Sequence, residues 1–409
     1  MGIAAITGKV TVVIGLQRGD EGKGRVVDEL AETHDIVARF NGGPNAGHTV
    51  VLPDGTELDL HLIPSGVAHP GTMNVIGNGC YLDPIKLLGE FEHMEEKGVI
   101  ISPDILKISD SVHLILPQHI QEDTEREAGA GAQGSTKSGI AQVARDKYYR
   151  TGITLGHALE DSETKASLPV DYQRAIDTLA PYVDDTVLYL NNALRAGKNI
   201  LAEGAQGFLL DVDHGMYPFV TSSSTATGGA VTGLGIPPQV IGDVFGIVKA
   251  TQSHVGGGVF VTEITDEELL ARLRGKQGAV DAEFGTTTGR ARRMGHLDLP
   301  QLRRAIDVCG VTQLVLTKVD CVPRYGDTIT ICERYESSEI APASQFALEQ
   351  QKPVYTQLGS WSEDISSITD FSALPKNAQD YITYVETRLA TPITRIGVGP
   401  GRQQVIKRT

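Results

Sequence analysis

Apolar residues in this chain fall in short, dense, β-branched runs, and stretches with helical spacing lie between them. The first run is VTVVIG, Val10 to Gly15, the pattern of a strand buried on both faces. A glycine-rich turn follows, and the spacing then predicts a helix over 24–33. IVARF, Ile36 to Phe40, predicts a second strand. Residues 84–97 predict a helix, with Leu87, Leu88, Phe91 and Met94 roughly on one face. VHLILP, Val112 to Pro117, reads as a strand, and EAGAGAQGSTKSG at 127–139 is too rich in Gly and Ala to be regular. A long helical stretch is expected over 172–197. The strands NILAEG (199–204), VFGIVKA (244–250) and QLVLTKVD (313–320) come next, then a helix over 375–389 and a last strand, ITRIG, ending at Gly397. Strands alternating with helices imply an α/β fold with a large, mostly parallel, twisted sheet covered by helices. With no internal repeat, low-complexity tract or long linker, residues 1–409 are expected to form one domain with long functional loops.

Composition narrows the function. Hydrophobic residues make up 40% and charged residues 21%, ordinary for a globular chain, and the formal net charge is −15. That balance argues against a nucleic-acid coat or a membrane-surface protein, since both want a basic face. An anionic ligand would need a local concentration of Arg, Lys and backbone N–H groups. The cysteines, Cys80, Cys309, Cys321 and Cys332, have no zinc or C-x-x-C spacing and are expected to be reduced, buried thiols of a cytoplasmic protein. The start of the chain has no basic region leading into a long apolar stretch, and no run of eighteen apolar residues occurs, so neither a signal peptide nor a membrane span is expected.

The densest chemistry follows the first strand, in Gly15-Leu16-Gln17-Arg18-Gly19-Asp20-Glu21-Gly22-Lys23-Gly24. Glycines let a backbone approach phosphate oxygens, the helix N-terminus offers free N–H groups, and Lys23 can reach the phosphates. The ordinary phosphate loop has Ser or Thr after the lysine as a magnesium ligand, and here that position is Gly24. The metal ligand must come from elsewhere, and Asp20 is the obvious candidate. The plain alternative is a strand–helix turn with a solvated Asp-Glu pair.

GDEGKG followed by NAGHT, Asn45 to Thr49, resembles the adenylosuccinate synthetase family. Further blocks occur in that family's order: LHLIPSG, IGNG, EGAQG, DVDHGMYPFVTSSS, EFGTTTGRARR, LTKVD and GVGPGR, so the resemblance runs from Val10 to about Arg402. It implies a P-loop-like, GTP-binding fold and GTP-dependent ligation of L-aspartate to IMP through 6-phosphoryl-IMP. Asp20 would be the base that takes the N1 proton, and His48 would donate toward the bridging oxygen of departing GDP. The resemblance places Gly19, Asp20, Glu21, Gly22, Lys23, Gly24, Gly47, His48 and Thr49 at the GTP phosphates. It places Lys318, Asp320, Gly397, Gly399 and Pro400 around the guanine. An Asp carboxylate matches the N1–H and 2-amino donors of guanine and none of adenine.

The IMP site would use Asp20, Asn45, Thr136, Arg150, Gln206, Thr221 and Arg290, with Arg150 reaching across a homodimer into the neighbouring site. Aspartate would be held by Thr287, Thr288, Arg290 and Arg292, because guanidinium planes suit carboxylates. One Mg²⁺ per subunit would be bound by Asp20 and the Gly47 carbonyl. The chain departs from the family's usual pattern at Arg18, Pro44, the 141–143 loop and Ala291, and its 150–203 region is short. Ala291 is expected to point away from the ligand. Two other readings remain: a 2-aminoadenylosuccinate synthetase acting on dGMP or GMP, and a GTP-binding regulator without catalysis. Neither nucleic acid nor membrane is expected as a partner.

Overall fold

A computed structural model describes residues 5–52, 54–129, 132–279, 281–285 and 289–408. The chain forms two compact units. The first comprises Met1–Ile14, Lys23–Gln206 and Thr221–Asp243, and the second comprises Gly15–Gly22, Gly207–Val220 and Val244–Thr409.

The first unit is built on the parallel strands β1 (Val10–Gly15), β2 (Ile36–Arg39), β3 (Met73–Ile76), β4 (Leu106–Ser109), β5 (Val183–Asp184) and β6 (Ile200–Glu203), hydrogen-bonded in the order β1-β6-β2-β3-β4-β5. Every residue of β2 and β6 is buried, the three apolar residues that open each strand and also the charged residue that closes it, Arg39 and Glu203. The second unit carries β7 (Ile241–Lys249), β8 (Gln313–Thr317), β9 (Ile393–Gly397) and β10 (Val405–Lys407), neighbours in that order, with only the last pairing antiparallel. The mostly parallel α/β class expected from the sequence is therefore what the chain adopts.

Helices α1 (Lys23–Ala31), α2 (Pro84–Glu96), α3 (Pro117–Ala128), α4 (Ile140–Tyr149), α5 (Val170–Leu179), α6 (Thr186–Arg195) and α7 (Thr227–Leu234) belong to the first unit, and α8 (Leu299–Cys309) and α9 (Lys376–Leu389) to the second. The start of α2 is fixed by Asp83, whose carboxylate accepts from the N–H groups of Ile85 and Lys86, with Pro84 at the first helical position. Its buried face, Leu87 and Met94, joins a core with Leu60, Ile76, Leu114, Ile176 and Leu179.

Two expectations are corrected. The helix expected over 172–197 is two helices, α5 and α6, because Pro181 tightens the chain into a 3-10 turn and Asp185 then caps a new start through the Leu188 N–H. The strand expected at Val112–Pro117 is strand only at His113–Leu114, since Pro117 opens α3.

The IGNG block earns its last glycine by close approach. The Gly79 N–H donates to the Gly233 carbonyl at 3.0 Å, and a Cβ at Gly79 would lie 2.7 Å from the Gly233 Cα and collide with the Phe40 carbonyl. Backbone cannot retreat as a flexible side chain can, so Gly79→Ala is expected to destabilise by about 1–3 kcal/mol. Thermal melts check this; an unchanged melting temperature would show that the strand and α7 can separate at no cost.

Candidate functional site

In the second unit, the loop Gly15–Gly22 is folded around its own glutamate. The Glu21 carboxylate accepts from the N–H groups of Gln17 (3.2 Å) and Gly19 (2.8 Å), and the Glu21 carbonyl accepts from the Thr317 hydroxyl at 2.8 Å. A Cβ at Gly15 would displace the Glu21 carboxylate from this arrangement. Gly19 and Gly22 both have φ of +87°, which glycine adopts without strain. Between them Asp20 also takes a left-handed conformation, with φ of +59°. Its carboxylate, 41% exposed, pairs with the Arg292 guanidinium at 2.7 Å.

Arg292 is the hinge of a larger cluster. Its other terminal nitrogen donates to Glu283 at 2.8 Å, and Glu283 also receives Lys249 at 3.0 Å, Lys318 at 2.7 Å and the Ser253 hydroxyl at 2.8 Å. Burial would raise the Glu283 carboxyl, but Lys249, Lys318 and Arg292 overcome this and hold it well below the usual range. The Lys249 ammonium is pushed down to about 8 by burial, despite Glu283. Three cations thus converge on one carboxylate that the sequence reading had given no role.

Lys318 leaves β8 in a left-handed conformation, and Asp320 lies half-buried two residues on, at the start of the 3-10 turn Val319–Tyr325. Gly397 ends β9. Gly399 is buried against Gln404, whose carboxamide oxygen accepts from the Gly401 N–H at 2.8 Å, and Pro400 is exposed. Arg290 and Ala291 are exposed, and Thr287 and Thr288 lie outside the described residues. Arg18 is buried, its guanidinium 4.4 Å from the Phe260 ring centre and 3.1 Å from the Val259 carbonyl.

In the first unit, Lys23 opens α1 and is buried. Gly24 follows, and a Cβ there would sit 2.8 Å from the His48 Cβ, so glycine lets the histidine lie against the helix backbone. His48 begins the hairpin strand His48–Val51, which pairs antiparallel with Glu57–Leu60. Alternation along it buries His48 and exposes Thr49, whose hydroxyl donates to Asp59 at 3.0 Å, while Gly47 is exposed just before. His48 Nδ1 meets Oε1 of Glu203, the last residue of β6. Burial and then Arg39 push the imidazole down, against the pull of Glu203. Burial would raise Glu203, but His48 and Arg39 hold it at about 2.

Two of the residues assigned to IMP come together here: the Gln206 carboxamide donates to the Asn45 side chain at 3.4 Å, with Gln206 at φ of +56°. Thr136 is half-buried and bonds the Ser138 hydroxyl at 3.1 Å, and Thr221 is half-buried. Arg150 caps α4 in a left-handed conformation and is exposed, next to Tyr148 and Tyr149 at 79% and 76% exposure. Sequence reasoning gave no role to Glu203, Glu283 or Lys249. The available signal was a charged residue closing an apolar run inside a strand, as in ILAE and in IVK, because such a charge needs a partner.

The adenylosuccinate synthetase family model matches residues 12–171 and 165–406. An adenylosuccinate synthetase of Christiangramia forsetii is 43% identical over 430 residues, covering 98% of this chain and 100% of that one. One of Mycobacterium marinum is 43% identical over 431 residues, 97% of each chain. Among solved structures, the fully ligated adenylosuccinate synthetase of Plasmodium falciparum superposes with a TM-score of 0.89 at 34% identity, covering 98% of this chain and 100% of that one. The cyanophage S-2L succinoaminodeoxyadenylate synthetase, bound to dGMP and dATP, shares the fold with a TM-score of 0.67 at 22% identity over 98% of this chain and 95% of its own. With the family's motifs in order, its model matched over most of the chain and its members alike end to end, this chain belongs to the adenylosuccinate synthetase family, GTP-dependent ligases of purine biosynthesis that form a C–N bond.

Proposed function

We propose that the chain runs its family's reaction, ligation of L-aspartate to C6 of IMP with GTP cleaved to GDP and phosphate, with Asp20 as the base. The supporting observation is the placement of Asp20: a glycine-flanked left-handed position in the loop after β1, its carboxylate partly exposed and facing Arg292. An amide-like oxygen on a purine is a poor leaving group. Removing the N1 proton makes O6 nucleophilic toward the γ-phosphorus of GTP, and the phosphorylated oxygen can then leave as aspartate's amine attacks C6. His48 serves the departing GDP, Lys23 and the Gly19–Gly24 backbone serve the phosphates, and Arg290 and Arg292 serve the dicarboxylate, with Thr287 and Thr288.

Mg²⁺ fits the donor set. The Asp20 carboxylate and the Gly47 carbonyl are hard oxygens, and both residues are exposed. Among the described residues no group of three or more His, Cys, Asp or Glu side chains gathers, which suits an ion that draws its other ligands from phosphate and water. When bound, the ion would neutralise charge on the transferring phosphoryl group.

Lys318 and Asp320 read the guanine in this proposal. Asp320→Asn replaces an acceptor pair by one acceptor and one donor. The preference for GTP over ATP in kcat/KM is expected to fall at least about tenfold. An undiminished preference would remove Asp320 from the role. The acceptor is settled by a matrix of IMP, GMP and dGMP against GTP and ATP, with aspartate and Mg²⁺. GTP should be consumed only with IMP and aspartate together. Higher kcat/KM on dGMP would overturn the acceptor while leaving the reaction type standing, and the family relatives at about 40% identity favour IMP.

We read the two units as parts of one adenylosuccinate synthetase-like domain, because the chain passes between them repeatedly and no single cut yields either. The working form is a homodimer, with Arg150, exposed beside two exposed tyrosines, completing the neighbour's site. Mixing Arg150→Leu protein with Asp20→Ala protein should then restore part of the activity, as heterodimers contain one intact composite site. Absence of rescue despite proven subunit exchange would make each site self-contained. The four cysteines are free and buried, and no described helix is long and apolar enough to cross a membrane. A cytoplasmic location agrees with the free thiols.

A further inference from the structure

Glu203 is fully buried and holds three hydrogen bonds. Its Oε1 faces His48 Nδ1 and accepts from the Ser65 hydroxyl at 2.8 Å, and its Oε2 accepts from the Ser65 N–H at 2.8 Å. Arg39, equally buried, is the neighbouring cation, yet its guanidinium stands 3.7 Å from Oε1 and its nitrogens make no hydrogen bond to any described residue. The carboxylate is therefore committed to His48 and Ser65 rather than to the nearest arginine. Its position is fixed from both sides, since Glu203 ends β6 in register with Val13 of β1 and Arg39 of β2. The histidine it meets is held close to α1, since a Cβ at Gly24 would lie 2.8 Å from the His48 Cβ.

An ionised carboxylate only accepts hydrogen bonds, so the nitrogen facing it must carry a proton. That makes Nδ1 the N–H nitrogen and leaves Nε2 as the atom His48 offers to a ligand, where it donates once the ring takes its second proton, a form the Glu203 carboxylate favours. We infer that Glu203, braced by Ser65, is a positioning residue that fixes the tautomer and orientation of His48, so that Nε2 and not Nδ1 addresses the phosphates of the nucleotide donor. This rests on the assignment of His48 to the donor phosphates. The arrangement is the one by which carboxylates orient histidines at many catalytic centres.

The test uses the full-length enzyme with GTP, IMP and aspartate. Glu203→Gln offers either an oxygen or an amide N–H to Nδ1 and no longer dictates the tautomer. kcat is expected to fall about 10–100-fold, with the KM for GTP moving less than about threefold. Ser65→Ala removes one brace and leaves the charge pair of Glu203 and Arg39 in place, so it folds even where Glu203→Gln does not. It is expected to lower kcat by a smaller factor in the same manner. In a His48→Asn background neither change should cost anything further, a result that general damage to the fold cannot give. Nitrogen-15 spectra of histidine-labelled enzyme should show His48 protonated at Nδ1. If His48→Asn itself retains full activity, the assignment of His48 is wrong. If His48→Asn is impaired while Glu203→Gln and Ser65→Ala keep their kcat, or if the His48 resonance reports an Nε2-protonated neutral ring, the positioning role of Glu203 alone is overturned.

Discussion

Asp20→Asn is expected to leave a folded protein that does not turn over. The substitution keeps the size of the side chain and, like aspartate, tolerates the left-handed backbone at φ of +59°. Asp20→Ala adds a backbone penalty of about 1 kcal/mol at that φ, so the asparagine variant separates chemistry from folding. In the proposed role, asparagine loses the basicity needed to take the N1 proton and the negative charge offered to the metal. General-base catalysis alone contributes about 10²–10⁴-fold, and loss of a metal ligand adds to it. A fall in kcat of at least about 10³-fold is therefore expected, with GDP binding weakened but retained. The fold has little reason to fail, because Arg292 keeps its second carboxylate, Glu283, at 2.8 Å. Activity above a tenth of wild type, with an unchanged melting temperature, would take Asp20 out of the mechanism.

Much of the fold was legible because buried parallel strands write themselves as apolar runs. β1, β2, β6, β8 and β9 all lie inside stretches read as strands from the pattern alone. β3 and β4 were missed. MNVI and LKIS are four residues each and carry polar positions, so neither forms an apolar run long enough to stand out from its surroundings. Pro181 and Pro117 were the local signals that outranked helical spacing and strand composition at the two corrected segments. The candidate site was legible where motif residues are contiguous, as in the glycine-rich loop after β1. It was not legible where a carboxylate organises cations brought together by folding. Glu283 gathers Lys249 and Lys318 from 34 and 35 positions away, and Glu203 meets His48 across 155. Nothing in a linear pattern names such partners. The glutamates of GDEGKG, EGAQG and EFGTTTG were visible as letters, and their work is to hold the loop, the histidine and the arginine in place.

Arg292→Lys is the second substitution with a large expected effect, and it tests the proposed dicarboxylate site. One guanidinium here spans two carboxylates at once, with one terminal nitrogen 2.7 Å from Asp20 and the other 2.8 Å from Glu283. A lysine has a single ammonium at the end of its chain and cannot present that fork. Glu283 already holds two lysines, so a third ammonium at this position has no carboxylate geometry of its own to satisfy. Charge is conserved, but a buried ammonium that cannot reach both carboxylates lowers stability, so the melting temperature is measured alongside and the specific loss should appear in aspartate recognition. A charge-assisted bidentate contact is worth about 2–3 kcal/mol, which corresponds to a rise in the KM for aspartate of roughly 30- to 150-fold. The KM values for GTP and IMP should move only a few-fold. Arg290→Lys is the matched comparison, since Arg290 is exposed where Arg292 is buried, and it should affect aspartate less. An Arg292→Lys enzyme whose aspartate KM stays near wild type while its IMP KM rises would move this arginine from the dicarboxylate to the purine nucleotide.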